Sequence, residues 1–314
     1  MKPETFLQRL DTYFERYETT LQILTALLNG NAAHQDIILL ACARLDSLAN
    51  HALPGRTAQQ EKFVQFLLRH SGHGALFDRV SIADLYASVL VEWWQLGGMI
   101  DIPGRLQVFD NVRQRDFIEM YWRSGLALTE KDLEGLMSFL AQELRRRYRV
   151  IPYQRRTRSY DDTVGSVMAA LTRAAATHRN GRYTAGVTAF KPIVHAHRLA
   201  AILYREYRNG SIHGAGVGID EGEFFRGTAP RWTPVDYEFA APKPIFQVVF
   251  PGRFLLSTYE NCFRGYHEQL RNTQKLPASI YNEVFPGSFA RHLAYFDQQS
   301  VEPAAELRPR LERS

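Results

Sequence analysis

Only two cysteines, Cys42 and Cys262, occur in 314 residues. Each lies in an apolar helical context, which excludes a disulfide framework and a four-ligand zinc site and predicts two buried free thiols. Long apolar runs are equally scarce. Runs such as Ile37 to Cys42 and Ala87 to Val91 fall far short of the roughly 18 residues that suggest a membrane span. Met1-Lys2-Pro3-Glu4 passes directly into an amphipathic stretch without a signal-peptide core, so a soluble, cytoplasmic protein is expected. There is no serine elbow, no P-loop and no recognisable Cys-His spacing, which removes the commonest nucleophile and nucleotide-loop signatures. No internal repeat and no Ser/Gly linker forces a domain boundary.

Against these absences, 45% of the residues are hydrophobic and 23% charged, enough to bury a full-sized core. The apolar positions recur at helical spacing from Pro3 to Leu28, closed by Asn29-Gly30, and again over about Ala33 to His51 and Thr57 to His70. Further helical patterns cover Ser81 to Trp94, Arg113 to Trp122, Glu130 to Tyr148, Thr163 to His178, Pro192 to Arg208 and Gly252 to Gln274. Between Gly214 and Pro251 the composition turns to Gly, Pro and aromatics, predicting a long loop with a small hairpin from Tyr237 to Phe239 and Ile245 to Phe250. The fold class is therefore all-α with a small β-hairpin insertion. Residues 1–300 read as one elaborated helical domain, with 81–150 as an insertion or subdomain and 301–314 as a frayed tail.

The formal charge of +5 modestly favours a polyanionic partner. Its distribution says more: Arg145, Arg146, Arg147, Arg149, Arg155, Arg156 and Arg158 share one stretch without an acid. Such a run is either a solvated face or a phosphate-backbone contact, for which arginine is better suited than lysine.

The most informative segment runs from Leu203 to Gly214, Leu-Tyr-Arg-Glu-Tyr-Arg-Asn-Gly-Ser-Ile-His-Gly. An arginine ends a predicted helix, a polar residue follows, and four residues separate Arg208 from His213. By composition alone, 32 arginines and 10 histidines would supply about one pair at this spacing. Arg173 and His178 form such a decoy inside an alanine-rich helix with no polar second residue. Gly210 distinguishes the Arg208 segment, because a left-handed residue there would end the helix and let His213 return toward Arg208.

Arg208, Asn209 and His213 resemble the signature of the HEPN superfamily (higher eukaryotes and prokaryotes nucleotide-binding). The resemblance is sharp over about twenty residues and otherwise architectural, through the opening helical hairpin and the number of helices. It implies an antiparallel helical bundle and a metal-independent endoribonuclease needing no cofactor, in which two protomers pair their motifs across one cleft. A toxin or defence effector, restrained by an antitoxin or regulatory protein, is the biological setting it suggests. His213 would move the 2′-hydroxyl or leaving-group proton, Arg208 would stabilise charge on the phosphorane, and Asn209 would orient either. Tyr204 and Arg205 would line the cleft, and Arg146, Arg147, Arg155 and Arg156 would add backbone contacts. The family also contains non-catalytic members, and a cation ending a helix with a loop histidine nearby is an ordinary structural arrangement.

Other signals are weaker. His195 and His197 are expected on nearly opposite sides of one helix, whereas His70 and His73 are able to converge. Gly214, Gly216 and Gly218 follow a helix rather than linking a strand to one, which suits a lid with Asp220, Glu221 and Glu223 better than a phosphate cradle. Asp161-Asp162 reads as a helix cap, and Trp93-Trp94 as one core residue beside one partner-facing residue.

Overall fold

The structure is a computed structural model that describes residues 3–55, 57–89, 130–149, 162–208, 221–235 and 245–277. It is an all-α fold with a small hairpin. The elements in order are α1 (Pro3–Asn29), α2 (His34–Ala52), α3 (Gln59–His70), α4 (Gly74–Phe77), β1 (Arg79–Val80), α5 (Ile82–Val89) and α6 (Glu130–Tyr148). There follow β2 (Asp162–Thr163), α7 (Val164–Thr177), α8 (Thr184–Ala189), α9 (Lys191–Ala196), α10 (Leu199–Ile202), a π-helix (Leu203–Arg208), α11 (Glu221–Arg226), β3 (Arg231–Val235), β4 (Ile245–Val249) and α12 (Gly252–Thr273). No helix among the described residues is long and apolar enough to cross a membrane.

Two apolar clusters organise these elements. In the first, α1, α2, α3 and α12 pack together around Leu10, Tyr17, Leu45, Phe63, Phe66 and Tyr259, with α10, the π-helix and Phe250 closing one side. The Tyr259 hydroxyl donates to the Tyr17 carbonyl at 2.9 Å and ties α12 to α1. Both thiols, Cys42 and Cys262, are buried in this cluster. The second cluster joins Val80 and α5 to α6, α7, α8 and α9. It draws on residues 80–194, a wider span than the 81–150 singled out by the sequence.

Local chemistry accounts for most helix ends. Asn31 takes the left-handed backbone between α1 and α2, with φ 49°, although Gly30 was the expected turn residue. Asparagine tolerates this region because its short polar side chain bonds locally. Gly72 does so after α3, with φ 69°, and a Cβ there would stand 2.9 Å from the Asn261 amide. Before α7 the cap is Thr163, whose hydroxyl accepts from the Ser166 N–H at 3.3 Å. This corrects the aspartate cap: Asp162 pairs in β2 with Val80 and accepts from the Thr163 N–H. Residue 161 lies outside the described residues, as do Trp93-Trp94, the pattern at 113–122 and the tail at 301–314.

The hairpin is displaced from its expected place. β4 matches, but its partner is β3, with Arg231 opposite Val249 and Val235 opposite Ile245. Pro234 made that strand hard to read, since proline cannot donate to a ladder, yet a two-stranded pair accommodates it on an outer edge. The segment 237–239 is outside the described residues. Within the expected loop, residues 221–226 form α11, whose Glu223 pairs with Arg231 at 3.1 Å.

A polar seam runs between α1 and α2. Tyr13 hydrogen-bonds to His51 and, at 3.1 Å, to Tyr17, with the Arg16 guanidinium 4.3 Å from the Tyr13 ring centroid. Burial, helped by Arg16, pushes the His51 imidazole down to about 4. Burial and Arg69 do the same to His70, also to about 4. Between pH 6.5 and about 4 the unfolded chain therefore binds protons that the folded chain refuses. Stability is complete above the unfolded value and declines as pH falls through this window. Urea midpoints measured down the window should fall steadily, and His70→Gln should flatten part of the decline.

Candidate functional site

The sequence pattern from Pro192 to Arg208 suggests one helix, but the structure breaks it twice. Helix α9 ends at Ala196, His197 turns, and Arg198 leaves the helix to make an antiparallel bridge with Val80. The chain resumes as α10 and then widens into the π-helix. Buried polar contacts gather at the break. His197 is 6% exposed and faces the carboxylate of Asp84, itself 3% exposed, with Nε2 to Oδ2 at 3.5 Å. The other ring nitrogen, Nδ1, lies 2.7 Å from the Ile193 carbonyl. The Ser81 N–H donates to the His197 carbonyl, and the Ser81 hydroxyl accepts from the Asp84 N–H. The buried aspartate is thereby satisfied by a turn and a histidine.

Arg205 belongs to the same junction. Its guanidinium reaches the Ala196 carbonyl at 2.9 Å, Glu206 at 2.8 Å and Asp84 at 3.5 Å. The side chain placed by sequence beside RNA thus ties the π-helix to α5 of the second cluster. His195 remains in α9, where burial, reinforced by Arg198 and Lys191, lowers its pKa.

The π-helix ends at the arginine of the motif. Leu203, Tyr204 and Tyr207 face inward. The Tyr207 hydroxyl donates to the Val248 carbonyl at 2.7 Å and accepts from the Phe250 N–H at 3.1 Å, fastening the segment to β4. Burial raises the pKa of this phenol. π-Turns are rare inside helical proteins and occur frequently at functional sites.

Arg208 emerges next to Tyr207 and turns toward α2. Its Nε and Nη2 both donate to Asp46 Oδ2, at 3.2 and 2.9 Å. The side chains are 22% exposed for Arg208 and 12% for Asp46. The second carboxylate oxygen, Oδ1, accepts from the Gln59 side-chain amide at 2.6 Å. The guanidinium carbon lies 5.3 Å from the Tyr204 ring centroid, and that ring packs against Phe63. Tyr204 is 7% exposed. Burial raises its pKa, Asp46 adds to the rise and Arg208 opposes it. The ring is mostly buried, beside Phe63 of α3 and Arg208.

Asn209, Gly210, His213 and the glycines at 214, 216 and 218 lie outside the described residues, as do Arg155 and Arg156. Arg146 and Arg147 stand exposed at the end of α6. Acids flanking the arginine stretch meet them: Glu143, three residues earlier on the same helix, pairs with Arg146 at 2.6 Å, and Arg147 approaches Asp162 at 3.9 Å. The decoy pair separates from the motif structurally. His178 follows α7 and sits against Phe139 and Tyr183 of the second cluster.

His70 and His73 find different surroundings. His70 sits against Phe66 and Tyr266, whereas His73 lies against Phe254, with Nε2 3.4 Å from the Ser257 hydroxyl. Asp46 and Gln59 were not anticipated. Asp46 was nevertheless visible as an acid on the apolar stripe of α2, four residues after Cys42 and three before Ala49, where a carboxylate needs a partner. Comparison with protein-family models, curated proteins and solved structures finds no match.

Proposed function

We propose that the chain is a metal-independent endoribonuclease of the HEPN type, acting as a homodimer on RNA and needing no cofactor. The observation that carries this reading is the placement of Arg208. It is a guanidinium held by a mostly buried carboxylate, at the end of a π-turn, immediately before Asn209 and five positions before His213. A preset cation of this kind suits a reaction in which negative charge grows on non-bridging phosphate oxygens. In the proposed step the 2′-oxygen bonds to phosphorus and the phosphorus to 5′-oxygen bond breaks. A cyclic 2′,3′-phosphate and a 5′-hydroxyl result. His213 accepts the 2′-hydroxyl proton or donates to the departing oxygen, and the partner protomer's motif supplies the complementary transfer. A toxin or defence role, with an antitoxin or regulatory partner, follows only from the family analogy.

The Asp46 contact also favours a second reading, a non-catalytic HEPN-like module that binds RNA or protein, because a buried ion pair is what a purely structural arginine would make. Cleavage of mixed cellular RNA in EDTA separates the two. Wild type and His178→Ala should yield cyclic-phosphate ends, and His213→Ala should lose at least a hundredfold in rate, within the range for a general acid or base. Salt-sensitive RNA retention without products would establish the non-catalytic module instead.

A further inference from the structure

We infer that Asp46 and Gln59 are a positioning couple for Arg208, with Gln59 fixing the carboxylate and the carboxylate fixing the guanidinium; this rests on the ribonuclease reading. A carboxylate turns easily about its terminal torsion, which is broad and only roughly twofold. Here both oxygens are assigned. Oδ1 takes the Gln59 amide at 2.6 Å, and Oδ2 takes two donors of Arg208.

The two Arg208 donors lie on one edge of the guanidinium, so Asp46 sets its plane as well as its position. The Tyr204 ring, 5.3 Å from the guanidinium carbon, adds lateral support. Gln59 is a suitable lever because it begins α3, whose Phe63, Phe66 and Leu67 are buried against α2 and its neighbours. A side chain rooted in that packing fixes Asp46 relative to the core. Catalysis by a preorganised charge depends on such fixation, since a cation that must reorient during reaction gives up much of its benefit.

The test uses the full-length chain, with Gln59→Leu and Asp46→Asn beside wild type. Arg208 Nε–Hε is observed by NMR and assigned from its absence in Arg208→Lys. Both variants should broaden or shift that resonance. Single-turnover RNA cleavage should slow by about 10- to 100-fold in Gln59→Leu, while the RNA dissociation constant changes by less than about twofold. Slower chemistry with intact binding separates positioning from general destabilisation. An unmoved Arg208 resonance with wild-type cleavage in Gln59→Leu overturns the couple, as does equal loss of binding and rate. If wild type neither binds nor cleaves RNA, the ribonuclease reading falls. The resonance then decides the couple by itself, an unmoved signal overturning it and a moved one sustaining it.

Discussion

Arg208→Ala is expected to lower RNA cleavage by about a hundred- to a thousandfold and to reduce unfolding free energy by about 2–4 kcal/mol. The two losses have different origins. The first is removal of the cation proposed to face the phosphorane. The second arises because Asp46, 8% exposed, keeps only the Gln59 amide of its side-chain contacts described above, and a buried carboxylate that loses its cation is strongly destabilising. A single alanine variant would confound them. Arg208→Met combined with Asp46→Leu separates them, since replacing a buried ion pair by apolar groups of similar volume is often neutral. The double variant should recover most of the urea stability and none of the cleavage. If it recovers both, Arg208 has no part in the chemistry.

Asp84→Ala is expected to lower stability by about 2–4 kcal/mol through a different route. Asp84 is an acid of α5 that faces His197 and Arg205, both on the chain leading to the motif. Removing it leaves the His197 Nε2 without that carboxylate in a nearly sealed site and takes the Asp84 acceptor from Arg205. Equilibrium urea unfolding followed by circular dichroism measures the loss. The comparison variant is Arg146→Ala, whose ion pair with Glu143 is exposed and whose removal should leave the midpoint unchanged. Equal midpoints for Asp84→Ala and wild type would show that the buried carboxylate does not secure the junction.

Helices with one strong apolar stripe were legible from sequence almost to the residue. α1, α2, α6, α7 and α12 fall where the spacing of buried side chains puts them, because one face of each meets a core. The failures share a different physical cause. The pattern through 192–208 is apolar enough for a continuous helix, and at the turn His197 meets Asp84, more than a hundred residues away in the chain. Tertiary contacts of that kind leave no local mark. β3 was missed because Pro234 disguises it, and α8 because six residues around a glycine show too little periodicity. At the candidate site the motif arginine was legible, whereas its partners required space: Asp46 stood out only as an acid on an apolar stripe, and Gln59 not at all. Tyr204 and Arg205, which the sequence places along the cleft, lie beside Phe63 and Asp84 respectively.

The two thiols make the chain its own unfolding gauge. Cys42 and Cys262 are 1% and 0% exposed in the cluster formed by α1, α2, α3 and α12. Burial pushes the Cys42 thiol up to about 12 and holds Cys262 well above its ordinary value. Because only a thiolate attacks an alkylating or disulfide reagent, labelling awaits an opening event, and its rate counts how often that half of the molecule breathes. No cysteine lies between residues 43 and 261, so the half built on residues 80–194 is silent to the same reagent. Thiol kinetics set beside whole-chain denaturation therefore distinguishes a molecule that melts as one unit from one whose halves come apart in turn.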